Sequence, residues 1–399
     1  MQRARETEVP HDAEEPRGSW RRAVIIGLIT YVISRLAVIA GAAVRAAQRV
    51  VEANVEGEPR PGSGFELLAE VLTSWDGLWY LLISREGYPT SIPDNVTYFD
   101  LEARTAFFPL FPALVRVVNT VLPGGDTLAA LLLNAVLGAV AVVMVGVLAR
   151  RIADVRTAMY AMMLFSVFPG SFVLSFAYAE ALFVVLAAAC FISLHDQRWL
   201  LAGIFAAAAA STRPIGVAVI AACALAAYLA IRNGREWRSL IAVALAPLGL
   251  IGFHLYLAIH TDEPWAWFRV QDQAWDEGMS FGWTAVQHMW GTLTSPLSSP
   301  TELITTVTVI TVVVLVWYAW RFRLPAPLLA YSAIVIALML FPETVTARPR
   351  FVLGAFPLVI PVAALLPRQS RIAWELVLVG SGAGLAALTA LYGVYGAIP

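Results

Sequence analysis

The sequence of 399 residues contains no lysine, only two cysteines, and few charged residues, which make up 14% of the chain. Soluble proteins carry roughly a quarter charged residues, so the composition excludes a soluble globular class. All 27 basic residues are Arg, and they nearly balance 28 acidic residues. No basic stripe for binding nucleic acid is therefore available. Cys190 and Cys223 lie inside apolar runs, so neither a disulfide framework nor a thiolate metal site is predicted.

Long apolar runs dominate the chain, and hydrophobic residues make up 59% of it. A membrane-spanning helix needs roughly 17–25 predominantly apolar residues. We therefore predict an all-α polytopic membrane protein with about eleven transmembrane helices. Residues 1–22 are predicted to form a disordered tail, and 23–399 a single domain. The apolar runs lie at 23–45, 127–149, 156–172, 177–195, 199–213, 215–231, 239–260, 303–320, 325–341, 351–366 and 372–396.

The arginines predict the orientation of these helices. With a cytoplasmic N-terminus, the short cytoplasmic segments hold 16 of the 27 Arg, as the positive-inside rule requires. Two long segments, 46–126 and 261–302, then lie on the outer side. We predict a multi-pass protein of the cell membrane whose site faces outward; the endoplasmic reticulum membrane, with a lumenal site, is the alternative.

The first outer segment is predicted to contain two interfacial helices. One begins at Trp75, because its apolar residues recur at helical spacing and Trp favours the interface. The other runs from Pro112 to Leu122, with Pro112 as its first residue. The apolar face of the first helix comprises Trp75, Leu78, Trp79 and Leu82.

Asp76 lies in this first helix and has two interpretations. Its carboxylate would sit at headgroup height, facing water, where it could act on a lipid-borne substrate. Alternatively, Thr73-x-x-Asp76 is similar to a capping box, and the carboxylate would only stabilise the start of the helix.

Other charged residues lie near the outer ends of predicted spans. Glu180 and Arg213 are candidates for a site or for a packing ion pair, because a charge at bilayer depth costs ~2.5–3.5 kcal/mol. Arg35 has the same two interpretations. Arg348 and Arg350 could bind a phosphate through their guanidinium forks, or extend towards lipid headgroups.

Several common sites are missing from the sequence. It has no Walker loop, no GxGxxG at a strand–helix junction and no GxSxG. Neither HExxH nor an acidic triad accompanies the histidines, so no metal site is predicted there. We expect no cofactor, with a divalent metal as the alternative that the sequence does not support.

Five segments in order are similar to the PIG-V type mannosyltransferases, which comprise GPI mannosyltransferase II and its bacterial relatives. They are SWDGLWYLLISREGYP, AFFPLFPALVR, FPGSFVLSFAYAEALF, STRPIGV and ARPRFVLGAFPL. The resemblance covers residues 24 to 360. It implies a fold of the type C glycosyltransferases and a polyprenyl-phosphate sugar as donor. It also implies an essential acid in the first outer loop, which corresponds to Asp76.

This resemblance assigns roles to the candidate residues. Asp76 is expected to be the general base on the acceptor hydroxyl, in an inverting reaction. Three arginines are expected at the donor phosphate, and five further residues at the substrates, with Glu180 also holding an arginine in place. The three arginines are Arg348, Arg350 and Arg213; the five further residues are Trp75, Tyr80, Gln271, Trp275 and Glu180.

The sequence thus predicts an enzyme that transfers a hexose, expected to be mannose, from a polyprenyl-phosphate donor to a glycolipid or lipoglycan acceptor. The rival is a transporter or flippase of lipid-linked sugars, which should show repeat symmetry and charges near midspan. A non-catalytic subunit of a glycan-assembly complex is a third possibility. Because the polar clusters lie at the outer face, the enzyme is favoured.

Overall fold

The computed structural model of the protein describes residues 19–59, 62–275, 278–343 and 349–393. Most of the predicted N-terminal tail and Arg348 lie outside these ranges. Within them the chain forms helices and no strand, apart from one isolated antiparallel bridge between Met279 and Pro342. The α-helices are α1 Ser19–Glu56, α2 Gly64–Leu72, α3 Asp76–Glu86, α4 Leu110–Val121, α5 Gly125–Ile152, α6 Val155–Val167, α7 Glu180–His195, α8 Trp199–Ala210, α9 Gly216–Gly234, α10 Leu240–Leu245, α11 Leu248–His260, α12 Ala266–Trp275, α13 Trp283–Thr294, α14 Pro300–Phe322, α15 Ala326–Leu340, α16 Pro349–Gly354, α17 Val359–Gln369 and α18 Arg371–Tyr392. Short 3₁₀ helices lie at Leu101–Ala106, Pro169–Leu174, Trp237–Ser239 and Phe356–Leu358.

Each of the eleven predicted apolar runs contains helix, which confirms the all-α membrane class. Among the described residues, six helical segments are long and apolar enough to cross a membrane: α1, α5, α9, the 237–260 segment, α14 and α18. The helices in the remaining runs are shorter, so the number of spans stays a prediction. In the interior, α6 packs against α1 and α5, and α7 packs against α5 and α8.

Helix α1 differs from its predicted bounds at both ends. It begins at Ser19, so the last four residues of the predicted disordered tail are helical. It then continues to Glu56, eleven residues beyond the predicted end of the first span. On this extension, Arg45 donates from Nε to the carbonyl of Gly393 at 2.8 Å. The long helix thereby contacts the residue that follows α18.

The first outer segment contains three α-helices, one more than predicted. A capping box of Ser63 and Glu66 starts α2, because each side chain bonds the other residue's backbone N–H. Helix α4 begins at Leu110, with Pro109 at its N-cap. The prediction that Pro112 is its first residue was therefore wrong. Pro109 and Pro112 are only three residues apart, and proline is common near the start of a helix. The sequence pattern alone therefore did not show which of the two lies at the start of α4.

The two outer segments fold against each other. Helix α12 packs on the 3₁₀ helix of the first segment. Arg269 donates to both carboxylate oxygens of Glu263, at 2.6 and 2.7 Å, and to the carbonyl of Pro93 at 2.7 Å. Trp267 donates from Nε1 to the carbonyl of Ala106 at 3.0 Å. Together these contacts join the two long segments to each other.

Arg35 connects α1 to the segment that leads into α7. Its Nη1 donates to the carbonyl of Ser171 at 2.6 Å, and its Nη2 to that of Ser166 at 2.9 Å. The hydroxyls of Ser171 and Ser175 accept from the same guanidinium. Protein oxygens therefore take the place of water around the Arg35 guanidinium. Of the two interpretations of Arg35, a site residue or a packing residue, these contacts match the packing role.

We expect Arg35→Met to lower the free energy of unfolding by about 2–4 kcal/mol, because several acceptors lose a charged donor. Unfolding in mixed detergent micelles measures this. The control is Arg49→Met, which removes an exposed ion pair with Glu70 and should cost no more than about 1 kcal/mol. Equal losses for the two variants would contradict the role given to Arg35.

Candidate active site

Asp76 is the first residue of α3, and its carboxylate contacts Arg350. Arg350 Nη1 lies 2.8 Å from Oδ2, and Nη2 lies 3.5 Å from Oδ1. Thr73 does not cap α3, because its hydroxyl donates to the carbonyl of Ala69 at the end of α2. The capping interpretation of Thr73 and Asp76 was therefore wrong. The Asp76 carboxylate instead contacts Arg350, which lies 274 residues further along the chain.

Trp75, directly before Asp76, has a φ of 58° and a ψ of −120°. A bulky side chain rarely adopts this backbone conformation, which costs about 1–3 kcal/mol and persists only where the surroundings hold it. Its indole Nε1 donates to the carbonyl of Tyr392 at 2.9 Å, and the two rings are in contact. The anchored indole thus holds the turn that presents Asp76.

A chain of hydrogen bonds fixes the direction of Arg350. Tyr178 donates its hydroxyl proton to the carbonyl of Ser74 at 3.0 Å. Its oxygen must then accept from Tyr392, whose hydroxyl lies 2.6 Å away. The Tyr392 oxygen in turn accepts from Arg350 Nη1 at 2.9 Å. Every hydroxyl proton has an acceptor, so the guanidinium is held towards Asp76.

Arg350 keeps donors beyond these contacts. Its Nη1 is shared by Asp76 and Tyr392, while Nη2 makes only a long contact with Asp76. Among the described residues, none accepts a hydrogen bond from its Nε. The Asp76 side chain is 19% exposed and that of Arg350 is 9% exposed. A ligand can reach the carboxylate, and the guanidinium has capacity for an anion.

Glu180 and Arg213 form a second ion pair close to the first. Their side chains are 5% and 7% exposed, and their charged atoms are in contact. Neither Glu180 oxygen accepts a well-aligned hydrogen bond from a described residue, so the contact is mainly one of charge. Both Arg213 and Arg350 lie over the ring of Phe351, at 5.7 and 5.0 Å from its centre. Phe351 therefore links the two pairs.

Tyr80 lies one helical turn after Asp76 and within electrostatic range of both ion pairs. Its ring is buried and makes edge contacts with Phe107 and Phe111, each at 5.2 Å. Burial raises the pKa of the Tyr80 phenol well above its ordinary value; Arg213 opposes the rise, and Glu180 adds to it. The phenol is thus neutral at physiological pH and can donate a hydrogen bond.

Trp275 and Gln271 lie on α12, and Trp275 extends this aromatic layer. Trp275 contacts Tyr98 and Phe107 at 5.6 and 5.7 Å, so Phe107 lies between Trp275 and Tyr80. Gln271 is half-buried on the same helix. No described contact brings Trp275 to the charged residues, and its expected role with a substrate stays a prediction.

The sequence did not point to Tyr178, Tyr392 or Asn134. Asn134 donates from Nδ2 to the carbonyls of Tyr178, at 2.7 Å, and of Phe176, and so holds the segment before Glu180. Tyr178 could have been found by its position two residues before Glu180. Tyr392 follows an apolar run with no polar neighbour, and no signal in the sequence singles it out.

Comparison with known proteins gives a family. The family model described as "Mannosyltransferase (PIG-V)" matches residues 23–288. This range includes Asp76, Glu180 and Arg213, while Arg350 and Tyr392 follow it. No curated protein matches the chain in sequence.

Solved structures with partial likeness include those of two proteins. The oligosaccharyltransferase of Archaeoglobus fulgidus aligns with a TM-score of 0.48 and 13% identity, over 91% of this chain and 56% of that one. ArnT from Cupriavidus metallidurans aligns with a TM-score of 0.49 and 14% identity, over 76% and 56%. Its structure bound to undecaprenyl phosphate gives 0.48 and 14%, over 76% and 57%. The chain thus spans little more than half the length of these proteins.

The second ion pair leads to a prediction about stability. We expect Glu180→Gln and Arg213→Met each to lower the free energy of unfolding by about 3–5 kcal/mol, because each leaves a buried charge unpaired. The double variant should lose far less than the sum, as a double-mutant cycle measures. The exposed pair of Arg371 and Glu375 on α18 is the control, and its coupling should be much smaller because solvent screens both charges. Additive losses at Glu180 and Arg213 would contradict the pairing.

Proposed function

Because the chain belongs to the PIG-V mannosyltransferase family, we propose that it is a membrane glycosyltransferase that uses a polyprenyl-phosphate donor. It transfers a hexose, expected to be mannose, to a glycolipid or lipoglycan acceptor on the non-cytoplasmic face. The observation that carries this proposal is the contact between Asp76 and Arg350. One partly exposed group can accept a proton, and its neighbour is a cation with donors that no residue in the described part of the chain accepts.

In the proposed reaction, Asp76 is the general base. It takes the proton of the acceptor hydroxyl, whose oxygen forms a bond to the anomeric carbon. The bond from this carbon to the phosphate oxygen breaks, and the electron pair leaves with the phosphate. Attack from the opposite side inverts the anomeric centre.

Arg350 is proposed to stabilise the charge on the departing phosphate. Fixed donors in a water-poor site act more strongly on developing charge than they do in water, and the guanidinium matches phosphate oxygens bidentately. Arg213 is proposed to assist at the phosphate from its position over the ring of Phe351, with Glu180 holding it in place. The proposed reaction uses no metal ion, and wild-type transfer is therefore expected in EDTA.

The ion pair has to open during this reaction. In an inverting displacement, the acceptor and the leaving phosphate lie on opposite sides of the anomeric carbon. The base and the phosphate-binding cation must therefore be separated by the reacting atoms and by a hydrogen bond at each end. Their present distance is 2.8 Å. A bound phosphate would draw Arg350 from Asp76 and release the carboxylate for the acceptor, so the donor binds first.

A transporter or flippase of lipid-linked sugars remains the rival proposal. It would need Asp76 and Arg350 for passage of the lipid headgroup and would break no glycosidic bond. Transfer of radiolabelled mannose from synthetic polyprenyl-phosphate-mannose into membrane glycolipid distinguishes the two. If the wild type binds the donor but transfers no sugar, either the proposal of an enzyme is wrong or the chosen acceptor is not its substrate. Movement of the intact donor between leaflets would then support the transporter.

For Asp76→Asn we expect the transfer rate to fall by about 10²–10⁴-fold, the contribution of a general base. The substitution preserves the size of the side chain, so donor binding should persist. The matched control is Asp272→Asn on α12, where the carboxylate is exposed and the rate should not change. Equal transfer by wild type and Asp76→Asn would remove Asp76 as the base.

For Arg350→Lys we expect kcat/KM for the donor to fall by roughly 10–100-fold, because a fork of charge-assisted hydrogen bonds becomes a single point charge. Steady-state kinetics with varied donor measure this. Arg49→Lys, at an exposed ion pair, is the control and should leave the ratio unchanged. A loss confined to the acceptor's KM would place Arg350 away from the phosphate.

A further inference from the structure

Helix α13 carries no Asp, Glu, Lys or Arg. Trp283, Val286, Trp290 and Leu293 recur along it at intervals of three and four residues, so they share one face. Their exposed fractions lie between 51% and 74%. A face of this kind in water would be an apolar patch without a charged residue beside it, which soluble surfaces rarely present.

The opposite face of α13 is small and polar, and it packs against α14. His288 contacts the hydroxyl of Thr305 at 3.3 Å, and Thr292 and Thr306 share a hydrogen bond of 2.9 Å. Gly291 lies against the side chain of Glu302. Helix α13 therefore packs against the first turns of α14, and the polar side chains of α13 lie between the two helices. Small and polar residues between helices are typical of packing within lipid.

Helix α14 continues the apolar surface of α13. It is long and apolar enough to cross a membrane, and its own Val307, Ile310 and Val313 are more than half exposed. In a spanning helix, such residues face acyl chains. The exposed face of α13 thus borders a surface that already requires lipid.

We propose that α13 is immersed in the leaflet on the side of Asp76, with its four-residue apolar face (Trp283, Val286, Trp290 and Leu293) against lipid. This apolar face contacts the boundary between lipid headgroups and acyl chains, where Trp is favoured. The second outer segment is therefore partly a membrane-embedded hairpin, which goes beyond the proposed enzymatic activity.

This anchor lies next to the chain that leads to Arg350. Ser280, just before α13, donates its backbone N–H to the carbonyl of Phe341 at 2.8 Å, and Met279 bridges to Pro342. Lipid contact at α13 thereby sets the height of this chain relative to the bilayer.

Spin labels test the proposal in the full-length protein in lipid nanodiscs. On a background of Cys190→Ala and Cys223→Ala, single labels are attached through Trp290→Cys, Val286→Cys or Leu293→Cys. Leu293→Cys keeps both tryptophans, so a folding defect of Trp290→Cys does not decide the result. The control is Asp272→Cys on α12, where the side chain is exposed and charged. Collisions with oxygen report lipid, and collisions with a water-soluble nickel chelate report water.

We expect the α13 labels to lose nickel collisions several-fold relative to Asp272→Cys and to gain oxygen collisions. Nickel access equal to that of the control would overturn the proposal, because the face would then lie in water. Labels shielded from both reagents, with dipolar broadening between copies, would also overturn it and would assign the face to a second copy of the chain.

Discussion

The candidate site depends on one ion pair, between Asp76 and Arg350. Four separate parts of the chain hold it: the strained turn at Trp75, the start of α16, the end of α18, and the Tyr178 segment. Trp75 is bonded to Tyr392, and Tyr178 is bonded to Ser74. Asn134 on α5 holds the Tyr178 segment. The pair is therefore the point at which α3 and the last helices are brought together. The proposed reaction has to open this same contact, so the pair both joins these helices and holds the carboxylate until the donor binds.

Charge compensation explains why the second pair lies beside the first. An isolated charge in a low-dielectric region is costly, and even a pair loses much of its attraction to desolvation. With Glu180 beside Arg213 and Asp76 beside Arg350, the cluster is neutral before any substrate arrives. The phosphate of the proposed donor would add negative charge to this cluster, which would favour rearrangement of the arginines over simple addition. The buried pair is the less mobile one, because its side chains are 5% and 7% exposed.

The sequence predicted the helical class and most of the charged residues of the site, because apolar length and the placement of charges near span ends are local signals. Glu180 and Arg213 could be paired on these grounds. The partner of Asp76 could not, because helical spacing relates residues one or two turns apart, whereas Arg350 is 274 positions away. For the same reason Asp76 was open to a local explanation with Thr73. The Tyr392 hydroxyl acts through its contacts with Tyr178 and Arg350 in the folded chain, and hydrophobic periodicity does not predict such contacts. Arg348 and the N-terminal residues lie outside the described chain, and their expected roles stay predictions.

Helix α1 continues without a break from the predicted first span into the first of the two long segments. Its 38 residues correspond to roughly 57 Å at 1.5 Å per residue, about twice the hydrocarbon thickness of a bilayer. A helix of this kind responds to a thicker or thinner bilayer by changing its tilt. Arg45, on the extension of α1, is bonded to Gly393, next to Tyr392, so a change of tilt would reach the residue that orients Arg350. A bilayer of different thickness would in this way bear on the geometry of the site.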